Sequence, residues 1–212
     1  MTDDLIARLV DDLKPVPAHA LCRRLLFAVL LGLAVSMLLM AMWLGLRPDL
    51  REAAGTTIFW IKSGYTAGLG VAGLWAVEQS SRPGRHGRWP LSMVLTIVAV
   101  TVAASIVDYA LAPEEARPWM LMGSSALICP FLIVALSVPF FAAGIAFMRR
   151  TAPTRLTVAG ASVGLAAGAL GAWVYSFHCT EGGLPFLALW YSLGIAVVTA
   201  AGALLGRALL RW

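Results

Sequence analysis

The feature that most constrains the fold is a series of long apolar runs separated by short charged connections. Hydrophobic residues make up 60% and charged residues 13% of the 212 residues, whereas soluble domains carry about 45–50% and about 25%. A helix that crosses a bilayer needs roughly 20 mostly apolar residues. The pattern therefore predicts an all-α polytopic membrane protein with six transmembrane helices. The predicted spans are residues 24–46, 57–77, 91–111, 119–148, 153–175 and 184–209.

The distribution of lysine and arginine predicts the orientation of these spans. Twelve of the 16 basic residues fall on one side, in residues 8–24, 82–88, 149–155 and 207–211. The other side has Arg47, Arg51 and Arg117. Because cytoplasmic loops carry an excess of lysine and arginine, both termini are predicted to be cytoplasmic. The same asymmetry explains the net charge of +5 without a nucleic-acid partner.

Glycines recur at a spacing of four residues in three of the predicted spans. They are Gly64 and Gly68, then Gly160, Gly164 and Gly168, then Gly202 and Gly206. Such stripes let helix backbones approach closely in lipid. Packing within the chain is the favoured interpretation, and a homodimer interface is the alternative.

Two charged residues fall inside predicted spans at matching depth. Lys62 lies about five residues and Asp108 about three residues from the predicted outer ends of their spans, each residue adding about 1.5 Å. A buried charge is costly unless it is paired. One hypothesis is therefore an ion pair between Lys62 and Asp108, and the other is that each side chain reaches the interface separately.

Residues 1–23 are predicted to form a cytoplasmic segment, followed by a transmembrane domain at 24–212. Within the segment, residues 2–14 have the pattern of a short amphipathic helix that Pro15 ends. Its apolar stripe comprises Leu5, Ile6, Leu9, Val10 and Leu13.

The charge of this helix bears on what covers its apolar stripe. Asp3, Asp4, Asp11 and Asp12 outnumber Arg8 and Lys14. An anionic cytoplasmic leaflet would repel such a helix, whereas a basic groove on a protein would attract it. Docking on a protein partner is favoured, with Asp11 and Asp12 steering toward a basic surface. Docking on the chain's own transmembrane domain is the alternative.

The three cysteines contain no CxxC pair, which argues against a dithiol oxidoreductase. Cys179 follows His178 in a predicted outer loop, where a thiol and an imidazole could bind a soft metal transiently. Cys129 lies inside the predicted fourth span, next to Pro130, where we expect a kink; a second kink is expected at Pro139. A Cys129–Cys179 pair needs Cα atoms within about 7 Å, so either the loop dips into the bundle or the fourth span begins later. The alternative is two unrelated cysteines, and no other cofactor is expected.

Enzyme and transport functions have weaker support in the sequence. Gly123-Ser124-Ser125-Ala126 is superficially similar to the serine motif of rhomboid proteases, but none of His19, His86 and His178 lies in the predicted sixth span. A serine without a nearby base is not activated, so the chain is not predicted to be an enzyme. A small-solute or ion transporter is the alternative function, although the spans offer few polar groups at mid-depth.

Several motifs resemble those of the NrsF-type membrane anti-sigma factors along the whole chain. They are Asp3-Asp4-Leu5-Ile6 with Asp11-Asp12-Leu13-Lys14-Pro15-Val16, Ala152-Pro153-Thr154-Arg155, His178-Cys179-x-Glu181, Pro185-Phe186, Trp190-Tyr191 and the C-terminal stretch from Gly206 to Trp212. Cys129 occupies the fourth-span position of the family's other cysteine. Thr180 stands where the family usually has proline.

The resemblance implies a function that composition and spacing do not give. Such proteins hold an extracytoplasmic-function (ECF) sigma factor at the bacterial inner membrane through the cytoplasmic N-terminal segment. A metal or oxidative stress signal on the periplasmic side is expected to act through Cys129 and Cys179, with His178 assisting, and to free the sigma factor.

Overall fold

The computed structural model describes residues 19–82, 87–151 and 153–211, and these ranges contain helices and no strand. The predicted all-α class is thus confirmed for them, while the predicted helix at 2–14 lies outside them. The long helices are α1 (Ala20–Trp43), α3 (Thr57–Ser80), α4 (Trp89–Leu111), α6 (Cys129–Met148), α7 (Leu156–Tyr175) and α8 (Leu184–Leu209). Two short helices lie in the connections, α2 (Leu50–Ala53) and α5 (Arg117–Met122). Since α1 begins at Ala20, the last residues of the predicted segment 1–23 are helical.

Five of the long helices are long and apolar enough to cross a membrane, namely α1, α4, α6, α7 and α8. Helix α3 has the same 24-residue length as α1, but it contains Lys62 and Gly64, Gly68, Gly70 and Gly73. Lysine and glycine lower its mean hydropathy, and Lys62, Gly70 and Gly73 lie on the buried face of this helix. Among the described residues, length and composition therefore support five of the six predicted spans.

The connections gather at two ends of the bundle. Residues 44–56, 112–128 and 176–183 meet at what we call the cysteine end, where Arg47 N donates to Phe177 O at 3.1 Å and Trp190 Nε1 to Leu121 O at 2.8 Å. Residues 81–82, 87–88, 149–151 and 153–155 lie at the opposite, arginine end, where Arg149 Nε donates to Leu209 O at 2.7 Å.

Helix α7 is the central helix and the most buried of the candidate spans. It packs against α3, α6 and α8, and glycines provide the close approach on these faces. A methyl group added at Gly73 of α3 would lie 2.6 Å from Ala166 N, and one at Gly164 would lie 2.5 Å from Val198 O. The predicted stripes of α7 and α8 therefore pack within the chain, whereas Gly64 has nothing within 4 Å of such a group.

The predicted fourth span, 119–148, is wrong because the chain turns within it. Helix α5 ends at Gly123, whose φ of 49° is a conformation that glycine adopts at little cost. Helix α6 begins at Cys129, so Pro130 occupies its first turn, where the missing N–H has no helical partner to lose. The expected kink at Pro130 is therefore wrong, while Pro139 does lie inside α6. Apolar residues continue through the turn, which is why hydropathy does not show it.

Gly164→Leu is expected to destabilise the bundle by about 1–3 kcal/mol, because the new side chain collides with the α8 backbone. Gly64→Leu is the matched control, since that position faces open space. Thermal unfolding of both variants in the same detergent measures the difference. Equal melting temperatures would show that α7 and α8 are not in backbone contact there.

Candidate functional site

Residues 176–183, which we call the cysteine loop, fold back over the cysteine end of the bundle. The loop leaves α7 through a turn in which Cys179 N donates to Tyr175 O at 3.0 Å. Cys179 is 3% exposed and Cys129 is fully buried, and both belong to one apolar cluster in which their thiols interact electrostatically. Of the two arrangements that the sequence allows for such a pair, the structure shows both: the loop dips inward and α6 begins late.

Two buried tyrosines enclose the thiols. Tyr175 interacts through its side chain with both cysteines, and Tyr191 interacts with Cys179. The two rings lie 5.7 Å apart between centroids. Tyr191 belongs to a π-helical turn, Leu187–Tyr191, a distortion that is frequent at functional sites.

The hydroxyl of Tyr191 has no well-aligned hydrogen bond within the described part of the chain. The Cys179 thiol is a polar group beside it. A buried polar atom without a good partner is unusual, so this hydroxyl marks the site. From the sequence alone, Tyr191 is notable only as part of a family motif, and no role is predicted for it.

Lys62 is 3% exposed and lies beneath the cysteine loop. Its ammonium donates to Glu181 O at 2.7 Å and to Cys179 O at 3.3 Å, and it lies 5.2 Å from the centroid of the Tyr191 ring. The two hydrogen bonds use two of its three donors. The predicted ion pair with Asp108 is wrong, because no such pair forms among the described residues and the loop carbonyls take its place. Lys62 therefore positions the loop.

Arg47 provides a second cation for the same carbonyl. Its Nη1 donates to Cys179 O at 3.1 Å, while Nε and Nη2 donate to the Asp49 carboxylate at 2.8 and 2.7 Å. The hydrogen bond with Asp49 raises the pKa of Arg47, and the guanidinium lowers the pKa of Asp49. The carbonyl of Cys179 is thus fixed by two charged donors.

Glu181 joins the cysteine loop to the turn before Cys129. Its Oε1 accepts hydrogen bonds from Ser124 N at 2.8 Å, from Ser124 Oγ at 2.7 Å and from Ser125 Oγ at 3.2 Å. Burial alone would raise the pKa of Glu181, but the bonds from Ser124 and Ser125 outweigh it and lower that pKa. A side chain at Gly123 would collide with this carboxylate. From the sequence alone, Gly123-Ser124-Ser125 is notable only as a protease-like motif, and this role is not predicted.

His178 lies in the loop and is held by the residues that follow α1. Its Nδ1 is hydrogen-bonded to Gly45 O at 2.9 Å. Within residues 19–82, 87–151 and 153–211, no three or more His, Cys, Asp or Glu side chains are grouped to hold a metal. The predicted ligand set of Cys129, Cys179 and His178 is therefore not assembled there, although its two cysteines are together.

The predicted partner-binding residues lie outside the described residues. They are Leu5, Ile6, Leu9, Val10, Asp11, Asp12 and Leu13. Their docking stays a prediction.

Comparison with known proteins gives consistent matches. The family model described as "Negative regulator of sigma F", NrsF, matches residues 9–212. A "Probable anti-sigma-F factor NrsF" of Azospira oryzae is 39% identical, and an "Anti-sigma-F factor NrsF" of Caulobacter vibrioides is 40% identical. Each alignment covers 100% of this chain and 99% of the relative. No solved structure matches the chain. The matches confirm the resemblance and the prediction of a non-enzymatic regulator, and they lend no support to transport.

Glu181→Gln is expected to remove part of the pH dependence of stability. A carboxyl whose pKa is lowered by folding adds stability above its ordinary value of 4.5, and that stability is lost as the pH falls through the folded-state pKa. Melting temperatures at pH 7 and pH 4 test this. The drop on acidification should be smaller in the variant than in wild type and unchanged in Glu115→Gln, an exposed control. Identical drops in all three proteins would contradict the role of Glu181.

Lys62→Met is expected to make Cys179 react faster with N-ethylmaleimide. A thiol that is 3% exposed reacts only when its loop opens locally, and the substitution removes two hydrogen bonds that hold the loop. Peptide mass spectrometry measures the rate in a Cys22→Ser background, because Cys22 is exposed. Arg51→Met, an exposed position at the same end, is the control. An unchanged rate at Cys179 would mean that Lys62 does not hold the loop.

Proposed function

Because the chain belongs to the NrsF family of negative regulators of sigma F, we propose that it holds an ECF sigma factor at the bacterial inner membrane and releases it on stress. The observation that supports the proposal is the burial of Cys129 and Cys179 in one apolar cluster, in a chain that matches this family over residues 9–212. Residues 1–23 are the proposed sigma-binding segment, since they carry the acidic amphipathic pattern described above.

The proposed topology has six membrane crossings, with α3 as the sixth spanning helix. Successive long helices are connected alternately at the cysteine end and the arginine end, as six crossings require. Helix α3 tolerates its lysine because Lys62, like Gly70 and Gly73, faces the interior of the bundle rather than lipid. The arginine end carries Arg82, Arg88, Arg149, Arg150, Arg155, Arg207 and Arg211, which favours a cytoplasmic position. The cysteine end is then periplasmic.

In the proposed sensing step, the paired cysteines are oxidised or bind a heavy metal transiently. The thiols are shielded, so either event requires the cysteine loop to move against the contacts of Lys62, Arg47 and Glu181. A cavity of about 240 Å³ reaches this loop at Thr180 and offers a route for small solutes.

Movement of the loop would then bias the packing at the far end of the bundle. The loop connects α7 and α8, which stay in glycine-mediated contact as far as Gly206, near the arginine end. A change at Cys179 therefore has a direct physical path to the cytoplasmic side, in the manner of a ligand that favours one of two packings. His178 assists by fixing the loop to Gly45 at the end of α1.

Deletion of residues 1–23 is expected to abolish co-purification of the sigma factor with the membrane-inserted protein. The matched variant Asp11→Asn/Asp12→Asn keeps the apolar stripe, and it should weaken capture in a salt-dependent way because only steering charges are removed. Undiminished co-purification by the truncated protein would contradict docking through this segment.

Cys129→Ser and Cys179→Ser are each expected to prevent the rise in sigma-dependent transcription after cadmium or peroxide stress, because a single thiol neither pairs nor bridges a metal. Cys22→Ser serves as the control, since Cys22 is exposed in α1, away from the pair. Reporter output before and after stress distinguishes the variants. A full response in both single variants would leave the cysteines structural.

A further inference from the structure

A groove opens at the arginine end between the end of α3 and the beginnings of α4 and α7. Helix α4 packs on α3 and, near the other end of the bundle, on the first turns of α8, and it makes little contact with α7. The resulting gap has a volume of about 580 Å³, within the range of about 300–1,000 Å³ that is usual for small-molecule sites. In a membrane, a gap between spanning helices is filled by lipid or by protein.

The part of this groove nearest the arginine end is strongly basic. Arg82, Arg88 and Arg155 line it, and the lining residues that the structure describes include no Asp or Glu. Arg82 is paired with Glu78 at 2.7 Å. Arg88 and Arg155 are exposed and form no ion pair with any residue in 19–82, 87–151 or 153–211. Guanidinium groups together with nearby hydroxyls, such as that of Thr154, suit a phosphate.

The part of the groove farther from the arginine end is apolar and extends along the helix axes. Leu91, Val94, Val158 and Leu165 form this wall. Leu165 lies ten residues beyond Arg155 in the chain, which corresponds to roughly 15 Å along α7 at 1.5 Å per residue. A free phosphate would leave the wall uncovered. A peptide at that depth would need partners for its backbone N–H and C=O groups, and the wall offers few.

We propose that this groove binds an anionic phospholipid, with its phosphate held by Arg88 and Arg155 and an acyl chain lying along Val94 and Leu165. Basic pockets between helices at a membrane surface recognise anionic headgroups in this way. The lipid joins α4, the least buried candidate span, to the central helix α7. The inference depends on the membrane crossings and is independent of the sigma factor and the cysteines.

Native mass spectrometry of the full-length protein in detergent tests the site, with phosphatidylglycerol and phosphatidylcholine as probes. Wild type should retain phosphatidylglycerol in preference to phosphatidylcholine. Each of Arg88→Gln and Arg155→Gln should weaken phosphatidylglycerol retention roughly fivefold, and the double variant about thirtyfold. Arg51→Gln removes an exposed arginine at the cysteine end and should change nothing. Circular dichroism checks that the variants are folded. If the double variant does not fold, the two single variants still test the site.

Four results would overturn the proposal. Equal retention of the two lipids would show that binding does not select for an anionic headgroup. An effect of Arg51→Gln equal to that of Arg155→Gln would show that binding does not occur in this groove. Displacement of the bound lipid by millimolar glycerol phosphate would mean that a soluble phosphate suffices. A severalfold rise in retention on deletion of residues 1–18 would instead identify the chain's own acidic segment as the occupant and would also contradict the lipid assignment.

Discussion

The structure of the site depends on hydrogen bonds at the cysteine end, where cationic side chains donate to backbone carbonyls of the cysteine loop. An ammonium buried in a helix bundle is costly unless it is paired or hydrogen-bonded, and a loop that folds over helix ends leaves carbonyls that require donors. Lys62 and the carbonyls of Cys179 and Glu181 meet both needs at once. Arg47 adds a second donor to Cys179 O, and the Glu181 carboxylate fixes the turn that precedes Cys129. These contacts hold the loop in the position that places Cys179 in the same apolar cluster as Cys129.

The central helix α7 links this site to the other end of the bundle. Close glycine contacts with α8 and α3 leave little room for one helix to move independently, because packed interiors resist small displacements. The cysteine loop follows α7 directly and precedes α8, so a displaced loop acts on both helices of the tightest contact. At the far end, α7 and Thr199 of α8 line the groove of the proposed lipid site. Leu21, at the base of the proposed sigma-binding segment, packs against the apolar cluster that contains Ala159 of α7.

Much of the helical scaffold could be predicted from the sequence, because apolar runs and glycine spacing report directly on lipid exposure and close packing. These signals predict the bounds of α4 and α8 and the packing of the glycine stripes of α7 and α8. The site depends on contacts between residues far apart in the chain, which periodicity does not encode. A hydropathy average does not detect the turn at Gly123. The matching depth of Lys62 and Asp108 in their predicted spans suggested an ion pair that the structure does not contain among the described residues. A usable signal for the turn was Gly123 followed by two serines. The π turn at Tyr191 has no comparable signal, since Leu187–Tyr191 reads as ordinary helix.

The central claim is that Cys129 and Cys179 form one site in the folded, membrane-inserted protein. Bridging with dibromobimane, which becomes strongly fluorescent when it alkylates two neighbouring thiols, tests it directly in a Cys22→Ser background. The account predicts fluorescence from the monomeric chain and a single cross-linked pair of peptides that contain Cys129 and Cys179. Peptides alkylated singly at each cysteine, with no bridged product while the chain remains folded, would contradict it.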